Sequence, residues 1–206
     1  MKHFAAALAT VAALGAAASP ARAQSAKWDI DPSHSSASFA VTHLMVATVR
    51  GEFGKMSGQI GFDGSNFAAV QAEAVIDATT ISTREAKRDD HLKSPDFFDV
   101  AKYPTITFKS KRAEPAGANA FRLVGDLAMR GVTREVTLDV KATDQVKGVR
   151  GETRIGAQAT TKLNRKDFGV SWNRALDSGG VVVGDEVTVT IDLSLVKKDG
   201  APKATN

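Results

Sequence analysis

Apolar residues recur at every second position along most of this chain, and a period of two belongs to strands that bury one face. The last run is the cleanest: Val187, Val189, Ile191, Leu193 and Leu195 alternate with Thr188, Thr190, Asp192 and Ser194. Earlier runs place Phe39 with Val41, Ile60 with Phe62, Ala72 with Ala74 and Ile76, and Ile106 with Phe108. Phe121, Leu123, Leu127 and Met129 share a further face, as do Val132, Val136, Leu138 and Val140, and then Ile155, Ala157 and Ala159. The pattern predicts about eight strands, parted by turn-rich pieces such as residues 114–119 and 177–180. One-face-apolar strands in antiparallel order must stack as a sandwich or close as a barrel. Periodicity alone fixes an all-β domain and leaves those two open. An eight-stranded barrel has an interior that side chains fill or that holds one small ligand.

One stretch breaks the rhythm. Ser82-Thr83-Arg84-Glu85 has the serine-to-glutamate spacing of a capping box, and residues 84–92 lack β-branched side chains, which predicts a short helix. Ser94-Pro95-Asp96 has the form of a second helix start with proline in the first turn. There is no internal repeat and no linker long enough to divide the domain. Residues 197–206 are polar, hold Gly and Pro, and predict a fraying tail.

The N-terminus has its own grammar. Met1-Lys2-His3 is basic, residues 4–18 are apolar or small, Ser19-Pro20 breaks the run, and Ala21-Arg22-Ala23 is a small-x-small cleavage sequence. These zones in this order predict a secretory signal peptide over residues 1–23, with cleavage after Ala23, and a domain over residues 24–196. A membrane anchor needs about 20 apolar residues, and this run is shorter and mostly alanine. Without Lys2 and Arg22 the formal charge of +4 falls to +2, so no strong basicity argues for a nucleic-acid partner. The chain has no cysteine, which excludes disulfides, thiolate metal sites and cysteine nucleophiles.

Several short blocks are more specific than the periodicity. Trp28-Asp29-Ile30-Asp31-Pro32-Ser33-His34-Ser35 leads into Phe39-Ala40-Val41-Thr42-His43-Leu44 and Val49-Arg50-Gly51-Glu52-Phe53. Ser82-Thr83, Arg88-Asp89-Asp90-His91-Leu92, Ser94-Pro95-Asp96-Phe97-Phe98-Asp99-Val100 and Tyr103-Pro104-Thr105-Ile106-Thr107-Phe108 follow. Gly125-Asp126-Leu127, Arg130-Gly131-Val132-Thr133 and Leu163-Asn164-Arg165-Lys166-Asp167-Phe168-Gly169-Val170 complete the set. In this order and spacing they closely resemble the YceI-like family of exported bacterial proteins, also called polyisoprenoid-binding proteins. The resemblance runs from about Trp28 to Leu195. It implies a lipocalin-like, extended antiparallel barrel whose apolar pocket holds a polyisoprenoid, an isoprenoid quinone or another long-chain lipid. It also implies a periplasmic location, a homodimer, a link in some relatives to membrane cytochrome b or to stress responses, no covalent cofactor, and a binder rather than an enzyme.

Candidate pocket residues follow from type and face: Phe39, Val41, Leu44, Met45, Phe53, Ile60, Phe108, Leu127, Met129 and Trp172. Each is equally at home in a filled core. His43 closes the Phe39/Val41 face and is placed to meet a lipid head group. Arg165 is a candidate for bidentate pairing with a diphosphate, or for fastening a loop through Asp167 or another carboxylate. His34, beside Asp31, reads as a brace for its turn, and Arg88 to His91 reads either as a solvated network or as a lid. No HxH or HxxxH pair is present, so no metal site is expected. Asp31, Ser33 and His34 stand too close in sequence to form a hydrolase triad. Gly51, Gly54 and Gly58 lack phosphate-loop spacing and read as bulges or bends. Two rival readings remain. One is an enzyme acting on a lipid in the same cavity with His43 or His91 as acid–base. The other is a ligand-free module docking on a membrane cytochrome.

Overall fold

The computed structural model describes residues 26–177 and 179–198. The expected signal segment lies outside the described residues, as does the expected tail beyond Lys198. The alternating segments become β1 (Lys27–Ile30), β2 (Ser36–His43), β3 (Ala47–Phe53), β4 (Met56–Gly61), β5 (Gln71–Asp77), β6 (Ile81–Ser82), β7 (Thr105–Gly117), β8 (Ala120–Met129), β9 (Val132–Ala142), β10 (Val146–Lys147), β11 (Thr153–Asn164) and β12 (Val183–Lys197). Eight of them form an antiparallel ring in the order β11-β9-β8-β7-β5-β4-β1-β12, closed by the long β11–β12 ladder. The fold is therefore a closed barrel with, among the described residues, one short α-helix, and the sandwich alternative falls away.

β1 and β2 lie one after the other along the same edge of β12, with Ile30 opposite Leu195 and Ser36 opposite Asp192. β4 continues β3 in the same way beside them. The β2–β3 hairpin thus rises beyond the point where β5 bends away into β6, and helix α1 (Ala86–Lys93) follows that bend. The opposite end is sealed. Phe67 is stacked between Phe62 and Phe121, with ring centroids 5.0 and 5.1 Å apart. Beside them Trp28 is buried and donates its indole N–H to the Phe62 carbonyl at 3.0 Å. Burying side chains of this size is worth about 1.5–3 kcal/mol each, so the sealed end is also the barrel's main core.

Four local expectations need correction. α1 starts at Ala86, and the Glu85 side chain makes no cap bond, so the capping box does not form. Thr83 is buried and must satisfy its polar groups elsewhere: its N–H and hydroxyl both reach the Asp89 carboxylate, at 2.7 and 2.6 Å. Residues 94–98 make turns around Ser94 rather than a second helix, with the Phe97 N–H on the Ser94 carbonyl at 3.1 Å. The expected turn at residues 114–119 shrinks to its end, because β7 runs on through Pro115 to Gly117 across register shifts against β8. Gly51 and Gly58 sit inside strands; a Cβ at Gly51 would overlap the Phe39 ring, and one at Gly58 would overlap the Glu73 carbonyl oxygen.

Candidate ligand-binding cavity

Inward-facing side chains of the ring strands do not meet at the barrel axis. They enclose a cavity of about 350 Å³, within the roughly 300–1,000 Å³ usual for ligand sites. Its walls are aliphatic or phenyl: Val187, Val189, Ile191 and Leu193 from β12, Leu138 and Val140 from β9, Phe121 and Leu123 from β8. Depth follows from burial along single strands. In β9, Leu138 and Val140 are buried and Val136 is half-buried; in β12, Leu195 is buried and Val187 to Leu193 are half-buried. The space therefore widens away from the phenyl stack, toward the end that carries the β2–β3 hairpin and α1.

Among the candidates from sequence, the structure brings together at this cavity Phe39, Val41 and His43 on β2, Phe53 on β3, Ile60 on β4, Phe108 on β7, and Leu127 with Met129 on β8. Arg165 and Trp172, on the segment between β11 and β12, border it too. Leu44 and Met45 do not. They form the hairpin tip just after β2, where φ values of 51° and 62° turn the chain outward, and they stand 42% and 58% exposed. Alternation along β12, β9 and β8 points to most wall residues left off the sequence list. Nothing in the pattern marks Leu92, Phe97 and Phe98, which reach the cavity from α1 and the turn after it.

The charged and imidazole side chains of the lining gather at the wide end, while Ser38, Thr107 and Thr161 stand along the walls. His91 packs edge-on against Phe97 and Trp172, with centroids 4.9 Å from each, while its Nε2 lies 2.9 Å from Asp96 Oδ2. These rings join the turn after α1 to the segment before β12. Arg130 adds a second tie, donating to the Pro95 carbonyl at 2.6 Å and the Gly169 carbonyl at 2.7 Å. Arg165 is 5% exposed, and its fork is spent on the protein: Nη1 donates to the Val170 carbonyl at 2.6 Å, Nε to the Gly184 carbonyl at 2.8 Å and Nη2 to the Val183 carbonyl at 3.3 Å. It fastens a loop, but through main-chain carbonyls and a longer contact to Asp185, 3.5 Å away, rather than Asp167. Burial pushes its guanidinium pKa below the usual value, against the pull of Asp185. The remaining mouth histidine, His43, borders the cavity. Away from the cavity, His34 Nδ1 lies 2.8 Å from Asp31, which also accepts from Arg154 at 2.8 Å. Among the described residues no three His, Asp or Glu side chains converge as a metal site, and no helix is long and apolar enough to cross a membrane.

The YceI-like domain family matches residues 28–195, nearly the whole barrel. The chain belongs to the YceI-like family. A UPF0312 protein of Staphylococcus aureus is 36% identical to this YceI-like chain over 158 residues, which cover 76% of this chain and 90% of the relative. Among solved structures, BcnA of Burkholderia cenocepacia superposes with a TM-score of 0.71 at 25% identity, over 80% of this chain and 98% of its own. A YCEI protein of Campylobacter jejuni gives 0.65 at 27% identity, over 77% and 90%. A polyisoprenoid-binding domain from Saccharophagus degradans shares the fold, with a TM-score of 0.59 at 18% identity over 85% and 100%. Arg165, Trp172 and the wall residues of β12 all lie within the YceI-like match.

Proposed function

We propose that this chain is a periplasmic carrier that takes up the long apolar chain of a polyisoprenoid lipid, such as an isoprenoid quinone or a prenyl diphosphate, and holds it without transforming it. The cavity carries this reading: sealed at one end, overwhelmingly apolar along its length, and with its histidines and arginines where it opens. A hydrocarbon chain leaving water gains about 0.8 kcal/mol per methylene in such a space, and needs no exact pairings to do so. The side chains at the wide end are largely engaged with one another, which favours holding over catalysis: His91 with Asp96, and Arg165 with three carbonyls. The naming of the Saccharophagus relative as polyisoprenoid-binding supports the ligand class. The three-zone leader over residues 1–23 supports export.

The test is retention. Protein recovered from the periplasm and examined by native mass spectrometry is expected to carry an extractable isoprenoid at about one per chain. Leu127→Arg, which puts a guanidinium into the wall beside Phe108, is expected to lose it while keeping its β-sheet circular dichroism. Leu127→Trp, which fills space instead of charging it, should lower retention with less risk to the fold. Full retention in both folded variants would place the ligand elsewhere.

A further inference from the structure

Against the outer face of β2, β3 and β12, near the start of α1, lies a second hollow of about 550 Å³, with chemistry opposite to that of the cavity. Arg50, Arg84 and Arg88 border it, with Glu52 as the one carboxylate and hydroxyls such as those of Thr48 and Thr190. Three guanidinium groups against one carboxylate make it a place for an anion. Among the described residues, the Arg50 and Arg84 side chains have no hydrogen-bond or ion-pair partner. Arg88 uses Nε and Nη2 on Thr83, at 2.7 and 3.0 Å, which leaves Nη1 unengaged. Thr83 in turn is buried and held by Asp89, so a buried threonine orients the head of Arg88, itself an exposed residue. Arg84 stands at φ 64°, a conformation that glycine or asparagine adopts more readily.

This hollow and the cavity share walls: Ser38, Phe39, Val49 and Arg88 border both. The Phe39 ring is the partition. It lies across Gly51, where a Cβ would overlap the ring and come within 2.8 Å of Thr83 Cγ2. Past that partition the outer edge of β3 has no strand partner among the described residues, since β6 reaches only Glu52 and Phe53.

We propose that the hollow receives the phosphate or diphosphate head of an amphiphile whose apolar chain lies in the cavity, with Arg50, Arg84 and Arg88 as head-group ligands and Phe39 as the partition the molecule passes. This rests on the lipid-binding reading and adds the head-group class to it. Guanidinium forks match phosphate oxygens two bonds at a time, whereas an uncharged head gains little from them. Arg165, fully engaged inside the loop, is left out of the head-group site.

Titration with farnesol, farnesyl diphosphate and inorganic diphosphate tests it on the wild type and on the Arg50→Ala/Arg84→Ala double variant. Both substituted positions are exposed, so the variant is expected to fold. The wild type should prefer farnesyl diphosphate over farnesol by about tenfold or more, and the preference should shrink as salt is raised. The double variant should lose the preference and keep its farnesol affinity. Inorganic diphosphate alone should bind at least about tenfold more weakly than the prenyl form, because it lacks the chain. Equal affinity for alcohol and diphosphate, or a preference intact in the double variant, overturns the proposal. So does inorganic diphosphate binding as tightly as farnesyl diphosphate, which would make the hollow a free-anion site. Those failures leave farnesol binding intact. A wild type that binds neither farnesol nor farnesyl diphosphate overturns the lipid-binding reading itself, and this one with it.

Discussion

Replacing Arg165 by methionine separates a loop-fastening arginine from a ligand-binding one. Methionine keeps the packing of the unbranched stem and removes only the fork. Two short charge-assisted bonds go with it, to the Val170 carbonyl at 2.6 Å and the Gly184 carbonyl at 2.8 Å, along with the longer one to Val183. Hydrogen bonds to charged groups contribute about 1.5–3 kcal/mol each. The two short ones alone therefore set an expected loss of about 3–6 kcal/mol, a large share of the ~5–15 kcal/mol that holds a typical domain. Urea unfolding followed by circular dichroism should show this loss at an unchanged m value, and thermal unfolding a fall of about 2–4 °C per kcal/mol. Arg165→Lys should recover less than half, since one ammonium cannot span carbonyls on both sides of the segment. A loss below about 1 kcal/mol, or full rescue by lysine, refutes the clamp. Unchanged stability with weakened diphosphate binding would return Arg165 to the ligand.

Asp31 sets an acid limit. The Arg154 guanidinium, and after it His34, hold the Asp31 carboxyl well below the usual carboxylate range. A depressed folded-state pKa stabilises the fold above the unfolded value near 3.9, and that contribution is lost as pH falls below it. Asp31→Asn should be less stable than wild type at pH 7, and the gap should narrow from about pH 4 downward; a gap unchanged at pH 2 would remove the ion pair as its source. Asp89→Ala leaves the buried Thr83 N–H and hydroxyl without their acceptor. The expected cost is about 1–3 kcal/mol, felt locally as hydrogen exchange across residues 86–93 faster by about tenfold or more, and unchanged exchange there would show that Asp89 does not hold the helix.

β12 is readable from sequence because its odd-numbered residues from Val187 to Leu193 face one continuous cavity while the even-numbered ones between them are polar. β3 escapes the same reading for a local reason. Its inward slot at residue 51 is a glycine, and the space is filled by Phe39 from the neighbouring strand, so the period is interrupted on paper and intact in three dimensions. β1, only four residues long, carries too few positions for a period to show. The candidate site divides along similar lines. Strand residues such as Phe108 and Leu127 follow from face and type, whereas Leu44 and Met45 have the right type on a hairpin tip. The acceptors of Arg165 are main-chain carbonyls on residues 170, 183 and 184, which no side-chain pattern encodes.

The stack of Phe62, Phe67 and Phe121 makes the barrel a cul-de-sac. A guest held by its tail must leave the way it came, and each methylene withdrawn gives back about 0.8 kcal/mol, close to a fourfold change in escape time. Residence should therefore climb steeply with chain length until the tail touches the phenyl floor. Further units would protrude and add little. A tube open at both ends has no such stop, so the sealed floor turns a greasy hole into a ruler.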